Sequence, residues 1–182
     1  KKAKVFIGMG GNFISATPDT TFTAAALRNC NLTVQVSTKL NRSHLITGKK
    51  ALILPCLGRS EKDYQTSGEQ FVSVENSMGV VHQSKGHLKP CSKELMSETA
   101  IVANLANITL KNSTTNWIDL TNNYDLIRNK IEATIPGFKN FNKRVRIKGG
   151  FYLPNNARDN NFKTTTTGKA NFSINKPSEI KL

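Results

Sequence analysis

The alternation of apolar and polar positions divides the first third of the chain into short strands and one helix. Residues 4–7 form an apolar run that passes directly into a glycine-rich turn at residues 8–13. A helix is predicted over residues 17–28, because a proline and an aspartate begin it and an alanine run continues it. Two further apolar runs, residues 32–36 and 50–55, predict strands.

A strand, a helix and a second strand at this spacing form a βαβ unit, which implies a parallel sheet with a right-handed crossover. We therefore predict an α/β fold, with a Rossmann-like parallel sheet and flanking helices, over residues 1–135. The remainder, residues 136–182, has little periodicity of its own and is predicted to be an irregular basic linker.

The middle of the chain predicts a hairpin followed by two helices. Residues 70–75 and 79–83 alternate as strands do, on either side of a turn at Asn76. Residues 97–106 predict an amphipathic helix with Ser97 as its N-cap, and residues 120–133 predict a second helix that ends before Pro136.

The net charge is strongly positive, with 26 Lys and Arg residues against 12 Asp and Glu, which gives +14. Residues 139–148 are the densest basic stretch, and Phe138 and Phe141 lie within or beside it. Basic residues interleaved with aromatic rings are typical of proteins that stack on single-stranded bases, so a basic single-stranded nucleic-acid-binding module is one alternative. The interpretation we favour is a solvated face, or a strip that neutralises a larger acidic protein.

Composition also bears on the class and location of the protein. No apolar run approaches the ~20 residues of a membrane span, so no membrane partner is expected. The chain starts Lys-Lys-Ala-Lys without a Met, which we interpret as a cut inside a longer protein. Cys30, Cys56 and Cys91 show no CxxC spacing and predict reduced thiols in a cytoplasmic protein.

The glycine-rich turn is the first candidate for a binding site. Gly8, Gly10 and Gly11 stand between a strand and a helix, where backbone N–H groups and the helix N-terminus favour a pyrophosphate. The dinucleotide pattern G-x-G-x-x-G would require glycine at Phe13, which disfavours an NAD-type site. A tight structural turn is the alternative interpretation.

Polar residues after the second strand are the second candidate. Parallel sheets bind ligands at this carboxyl edge, and Asn41 and Arg42 would suit a base and a phosphate. His82, His87 and Cys91 are spaced as metal ligands, but no second pair completes a tetrahedral shell, so no metal site is predicted in the chain. No motif for a catalytic residue stands out.

Three segments resemble the molybdopterin oxidoreductases in the same order along the chain. They are GGNFISATPD at residues 10–19, LTVQVSTKLNRSH at 32–44 and ALILPCLGRSE at 51–61. That family has a Gly-x-Asn-Pro turn, a strand ending near the guanine, and a Leu-Pro strand end followed six residues later by Glu. TGKANF at residues 167–172 also resembles its Ser-Gly-Lys-Ala-x-Phe segment, and the chain looks most like the formate-dehydrogenase-like alpha subunits of the YdeP-type branch.

The resemblance implies a bis-molybdopterin guanine dinucleotide cofactor around one molybdenum. This chain would be the third domain of the subunit and the linker into a C-terminal β-barrel, with the other domains of the subunit and a small substrate such as formate as partners. Glu61 would have a structural role. The residues it implies as cofactor contacts are Gly8, Gly10, Gly11, Asn12, Ser37, Thr38, Asn41, Arg42, Ser43 and Pro55.

Some positions depart from the family pattern. Ser37 stands where many relatives carry an Asp that contacts guanine, and Asn41 stands where they carry Thr. Thr38, Arg42 or Ser43 would then supply the guanine contact. In the family, the molybdenum ligand and any iron–sulfur cysteines lie upstream of this stretch, so the chain alone is not expected to catalyse a reaction.

Overall fold

The computed structural model describes residues 3–177, and its first third is a parallel sheet of three strands in the order β1, β2, β3. Val5 pairs with Leu32, and Leu32 pairs with Lys50, so the three strands begin in register. The elements of this part are β1 (Val5–Met9), α1 (Phe13–Ala16), α2 (Thr20–Arg28), β2 (Leu32–Ser37), a 3-10 helix (Arg42–Leu45) and β3 (Lys50–Pro55).

The predicted strands and the crossover helix are confirmed, with two differences. α2 begins later than predicted because the Asp19 side chain accepts a hydrogen bond from the Phe22 amide and caps it there. The glycine turn is shorter than predicted because β1 continues through Gly8 to Met9. Ile14, Ala24 and Leu27 are buried and pack against one face of the sheet.

The rest of the molecule combines short antiparallel strands with helices. β6 and β7 form the predicted hairpin, and β8 adds a third strand beside β7. The elements are β4 (Asp63–Gln65), β5 (Gly68–Gln70), β6 (Val72–Glu75), β7 (Val80–Ser84), α3 (Glu98–Thr109), α4 (Trp117–Asn122), α5 (Tyr124–Thr134), α6 (Phe141–Arg144) and β8 (Phe151–Tyr152).

The single helix predicted over residues 120–133 is wrong, because the segment contains two helices that meet at Asn123. This residue has an extended backbone, and its side chain accepts a hydrogen bond from the Asp125 amide. The Tyr124 amide donates to the buried Gln70 side chain instead of to a helical carbonyl. Side-chain acceptors at the junction therefore replace the helical hydrogen bonds that a continuous helix would make.

An aromatic cluster lies within the predicted basic linker. Phe141 and Val145 are almost completely buried against Val81 of β7 and Phe151 of β8. Phe138 packs on Phe141 with ring centroids 4.7 Å apart. The prediction that the Phe141 ring could stack on bases is wrong, since the ring belongs to the core. The domain boundary near residue 136 stays a prediction.

Arg128 is the most deeply buried cation of the described part. It is 3% exposed, and its guanidinium donates to Asn142, to the Phe71 carbonyl and to Asp125. Burial raises the pKa of Asp125, but hydrogen bonds from Arg146 and Arg128 outweigh it and the net shift is downward. The basic stretch is therefore partly structural, since Arg146 pairs with Asp125. The solvated or neutralising strip favoured from sequence stays a prediction.

The described residues thus form a mixed α/β structure built around a parallel three-stranded sheet. None of its helices is both long enough and apolar enough to cross a membrane, as far as residues 3–177 are concerned.

Candidate functional site

A cleft of about 740 Å³ opens at the carboxyl edge of the parallel sheet. Three loops meet there because parallel strands all end at the same edge. The loops follow β1, β2 and β3, and the start of α3 closes the fourth side. The lining residues are Gly10, Gly11, Ser37, Thr38, Lys39, Asn41, Leu57, Gly58, Arg59, Ser60, Glu61 and Glu98.

The first wall is the turn after β1. Gly10 and Gly11 have φ angles of 65° and 71°, a left-handed conformation that glycine adopts without steric cost. The Gly10 amide donates to the Val36 carbonyl at 2.8 Å, which ties the turn to β2. The amides of Gly11 and Asn12 donate no hydrogen bond within residues 3–177, so both remain available to an anion.

The loop after β2 fastens this turn through two side chains. The Asn41 amide group donates to the Gly11 carbonyl at 2.9 Å. Ser43 is 1% exposed, and its hydroxyl accepts from the Ile14 amide at 3.0 Å and donates to the Asn12 side chain at 3.2 Å. These contacts fix the glycine turn before any ligand binds.

The loop after β3 is held by Glu61. One carboxylate oxygen accepts from the Gly58 amide at 2.7 Å, and the other accepts from the Cys91 amide at 3.0 Å. The Leu57 amide donates to the Met96 carbonyl at 3.0 Å, which places the start of α3 beside the cleft. Glu61 therefore has the structural role that the resemblance implied.

Charges of both signs line the cleft. Lys39 and Arg59 are exposed cations, and Glu61 and Glu98 are the carboxylates. Cys56, at the end of β3, has a raised pKa because of burial and then because of Glu98 and Glu61. Its thiol therefore stays protonated near neutral pH and is a poor nucleophile or metal ligand.

Tyr124 holds the start of α3 in place through hydrogen bonds. The Ser97 hydroxyl caps α3 and lies 2.7 Å from the Tyr124 hydroxyl, which donates to Asp63. Burial, followed by the hydrogen bond to Asp63, raises the pKa of Tyr124 to about 12. The neutral phenol and its two partners thus orient the helix that carries Glu98.

Comparisons with known proteins show that this sequence is similar to one part of much longer proteins. It is 51% identical over 175 residues to "Uncharacterized oxidoreductase Rv2900c" of Mycobacterium tuberculosis H37Rv, and 48% identical over 175 residues to "Protein YdeP" of Escherichia coli K12. Each match covers 96% of this chain, but only 22% and 23% of those relatives, so the chain spans about a fifth of their length. No family model and no solved structure matches the chain.

These relatives confirm the similarity to YdeP-type proteins that the sequence motifs indicated. The wider resemblance to molybdopterin oxidoreductases stays a prediction.

The structure brings five of the ten sequence-predicted contact residues into the cleft: Gly10, Gly11, Ser37, Thr38 and Asn41. Five others lie outside its lining: Gly8, Asn12, Arg42, Ser43 and Pro55. Gly8 belongs to β1, where a Cβ would lie 2.5 Å from the Gln35 side-chain oxygen. It is therefore a packing position for Gln35.

Sequence reasoning missed the contribution of Lys39, of residues 57–60 and of Glu98. A signal for the loop existed, because every loop that follows a parallel strand reaches the same edge. The signal for Glu98 was absent, since its position depends on the pairing of Cys56 with Met96, 40 residues apart in the chain. Within the described range no three His, Cys, Asp or Glu side chains are grouped as metal ligands.

Proposed function

We propose that this chain is the part of a molybdopterin-dependent oxidoreductase subunit that binds a guanine dinucleotide of the cofactor in the cleft described above. The observation that carries the proposal is the convergence of the three loops on one cleft, with the glycine turn fixed in advance. The similarity to a protein named as an oxidoreductase supports the reaction class. When bound, the cofactor supplies the two-electron redox chemistry, and the residues of this chain bind and orient it.

The residues present fit a dinucleotide. The cleft volume is within the ~300–1,000 Å³ typical of ligand sites. The free amide of Gly11 lines the cleft and suits a pyrophosphate, and Lys39 adds a positive charge on the opposite loop. The free amide of Asn12 follows it in the same turn but lies outside the lining. Asn12 would act through its backbone amide, since its side-chain oxygen accepts from Ser43.

The guanine contact is best assigned to Thr38. The Ser37 hydroxyl donates to the Lys39 carbonyl at 2.7 Å, and the Ser43 hydroxyl is buried and occupied. Arg42 lies outside the cleft lining. Of the three substitutes that the sequence suggested for the family aspartate, Thr38 is thus the one that lines the cleft.

The rest of the proposal concerns the longer protein. The other domains would bind a second dinucleotide. They would also supply the molybdenum ligand and hold any iron–sulfur cluster. The Rossmann-like class of the α/β fold and formate as a substrate remain part of this proposal, since both rest on the resemblance alone.

The proposal is tested by removing one of the two cleft cations in the intact gene product with Lys39→Ala. Loss of a charge-assisted contact to phosphate costs about 1.5–3 kcal/mol, so the variant should release cofactor at least tenfold faster during dialysis, measured as retained GMP per protein. Lys49→Ala is the matched control, because Lys49 directly precedes β3 at the opposite edge of the sheet. Equal retention in both variants and the wild type would contradict the proposal.

A further inference from the structure

One face of the parallel sheet is mainly aliphatic and is open over its two outer strands. In a parallel sheet, residues paired across strands point to the same side, and the pairs Ile7 with Val34 and Val34 with Leu52 define this side. We call it the aliphatic face; its members are Val5, Ile7 and Met9 of β1, Leu32, Val34 and Val36 of β2, and Leu52 and Leu54 of β3, with Lys50 at the start of β3 on the same side.

Exposure on the aliphatic face is high on the two outer strands, where Val5, Ile7 and Leu52 are 53%, 51% and 50% exposed. Val36 of the middle strand is buried. On the opposite face, α1 and α2 cover the sheet around Phe6, although Ile53 of β3 is exposed there. Parallel sheets in folded proteins are covered on both faces, so the open face lacks the layer that a complete α/β structure has.

The aliphatic face continues onto α3. An apolar groove of about 370 Å³ lies between Met9 and the helices, and Val102, Trp117 and Ile127 line it. Beyond the groove, α3 leaves Leu105 and Ile108 49% and 71% exposed. A contiguous apolar surface that spans a sheet and a helix is typical of a buried interface.

We propose that the aliphatic face and this groove are the docking surface for another segment of the same longer polypeptide, an amphipathic helix whose apolar side completes the sheet. The chain spans only about a fifth of its relatives, so about four-fifths of such a protein is available to cover it. A surface whose exposed members are mainly aliphatic suits the apolar face of a helix, and covering the second side of a parallel sheet is what helices ordinarily do.

Carbene labelling of the intact gene product, read by mass spectrometry, tests this directly. The proposal predicts that Ile7, Leu52 and Leu54 label at less than about a tenth of the level in the denatured protein, where their exposure is complete. An open face would instead label at about half of that level, in keeping with the exposures above, and would overturn the proposal. Protection that disappears on dilution would indicate a second copy, and protection that requires lipid vesicles would indicate a membrane; either would also overturn it.

A variant adds an independent readout. Ile7→Asp should restore labelling of Leu52 and Leu54 by several-fold, because a carboxylate cannot stay buried in an apolar contact. Phe22→Asp introduces the same charge at a position on α2 that is 73% exposed, and should leave the labelling low. Equal labelling in the two variants would contradict the proposal, and the wild-type measurement stands even if Ile7→Asp does not fold. Neither Ile7 nor Phe22 lines the cofactor cleft, so this test can fail without affecting the proposed function.

Discussion

Single residues in and beside the cleft divide into those that hold the backbone and those that face the open space. Ser43 and Asn41 belong mainly to the first kind, because the side chains of both form hydrogen bonds that hold the glycine turn. Thr38 and Lys39 belong to the second, since both are exposed in the cleft. Sequence alone could not separate these two kinds, because both are polar residues after the same strand.

The role of Ser43 leads to a prediction about the turn. Ser43→Ala removes the acceptor of the buried Ile14 amide, which costs about 1–3 kcal/mol. Amide exchange in the peptide that contains Ile14 should therefore become about tenfold faster or more in the intact protein, measured by hydrogen–deuterium exchange. Ser60→Ala is the control, because that hydroxyl is exposed and makes no hydrogen bond within the described part of the chain. Unchanged exchange in Ser43→Ala would show that the hydroxyl does not hold the turn.

At the scale of elements, regular patterns were predicted well and short elements were not. β2, β3 and α3 were found close to their predicted bounds, since each has an apolar run or period with a clear start signal. β4, β5 and the 3-10 helix were missed because three or four residues carry no periodicity. The junction between α4 and α5 was missed because the apolar stripe continues across Asn123, while the contact that breaks the helix comes from Gln70.

Half of the contact residues predicted from sequence line the cleft, for a related reason. Gly10, Ser37 and Asn41 follow strands whose parallel order could be inferred, so their convergence could be inferred as well. The position of Glu98 depends on long-range pairing beside β3, which no local pattern encodes.

The junction of α3 with Tyr124 gives a pH-dependent prediction. A pKa raised to about 12 means that the folded state favours the neutral phenol. The shift contributes about 2–3 kcal/mol to the free energy of unfolding. This stability is fully present below the ordinary tyrosine pKa of ~10 and is lost as the pH rises towards 12. The difference in tyrosinate absorbance at 295 nm between the intact protein and Tyr124→Phe should titrate near 12 when folded, and near ~10 in denaturant. A folded difference curve centred near 10 would contradict the buried hydrogen-bonded arrangement.

At the scale of the whole molecule, part of the net charge of +14 comes from cations that are engaged inside the structure. Arg144 donates to the carbonyls of Gly137 and Lys139, and Arg146 donates to Asp125. The cleft adds no net charge, because Glu61 and Glu98 balance Lys39 and Arg59. With Phe141 buried, the nucleic-acid alternative loses an aromatic ring on which it depended.

We propose that the cleft belongs to a molybdopterin guanine dinucleotide enzyme, and cofactor analysis of the intact gene product tests this most directly. Molybdenum would be measured by mass spectrometry, and GMP after acid hydrolysis of the same preparation. We expect about two GMP per molybdenum, since the proposed cofactor carries two dinucleotides per metal, and molybdenum close to stoichiometric with protein. A folded preparation that contains neither molybdenum nor GMP would contradict it.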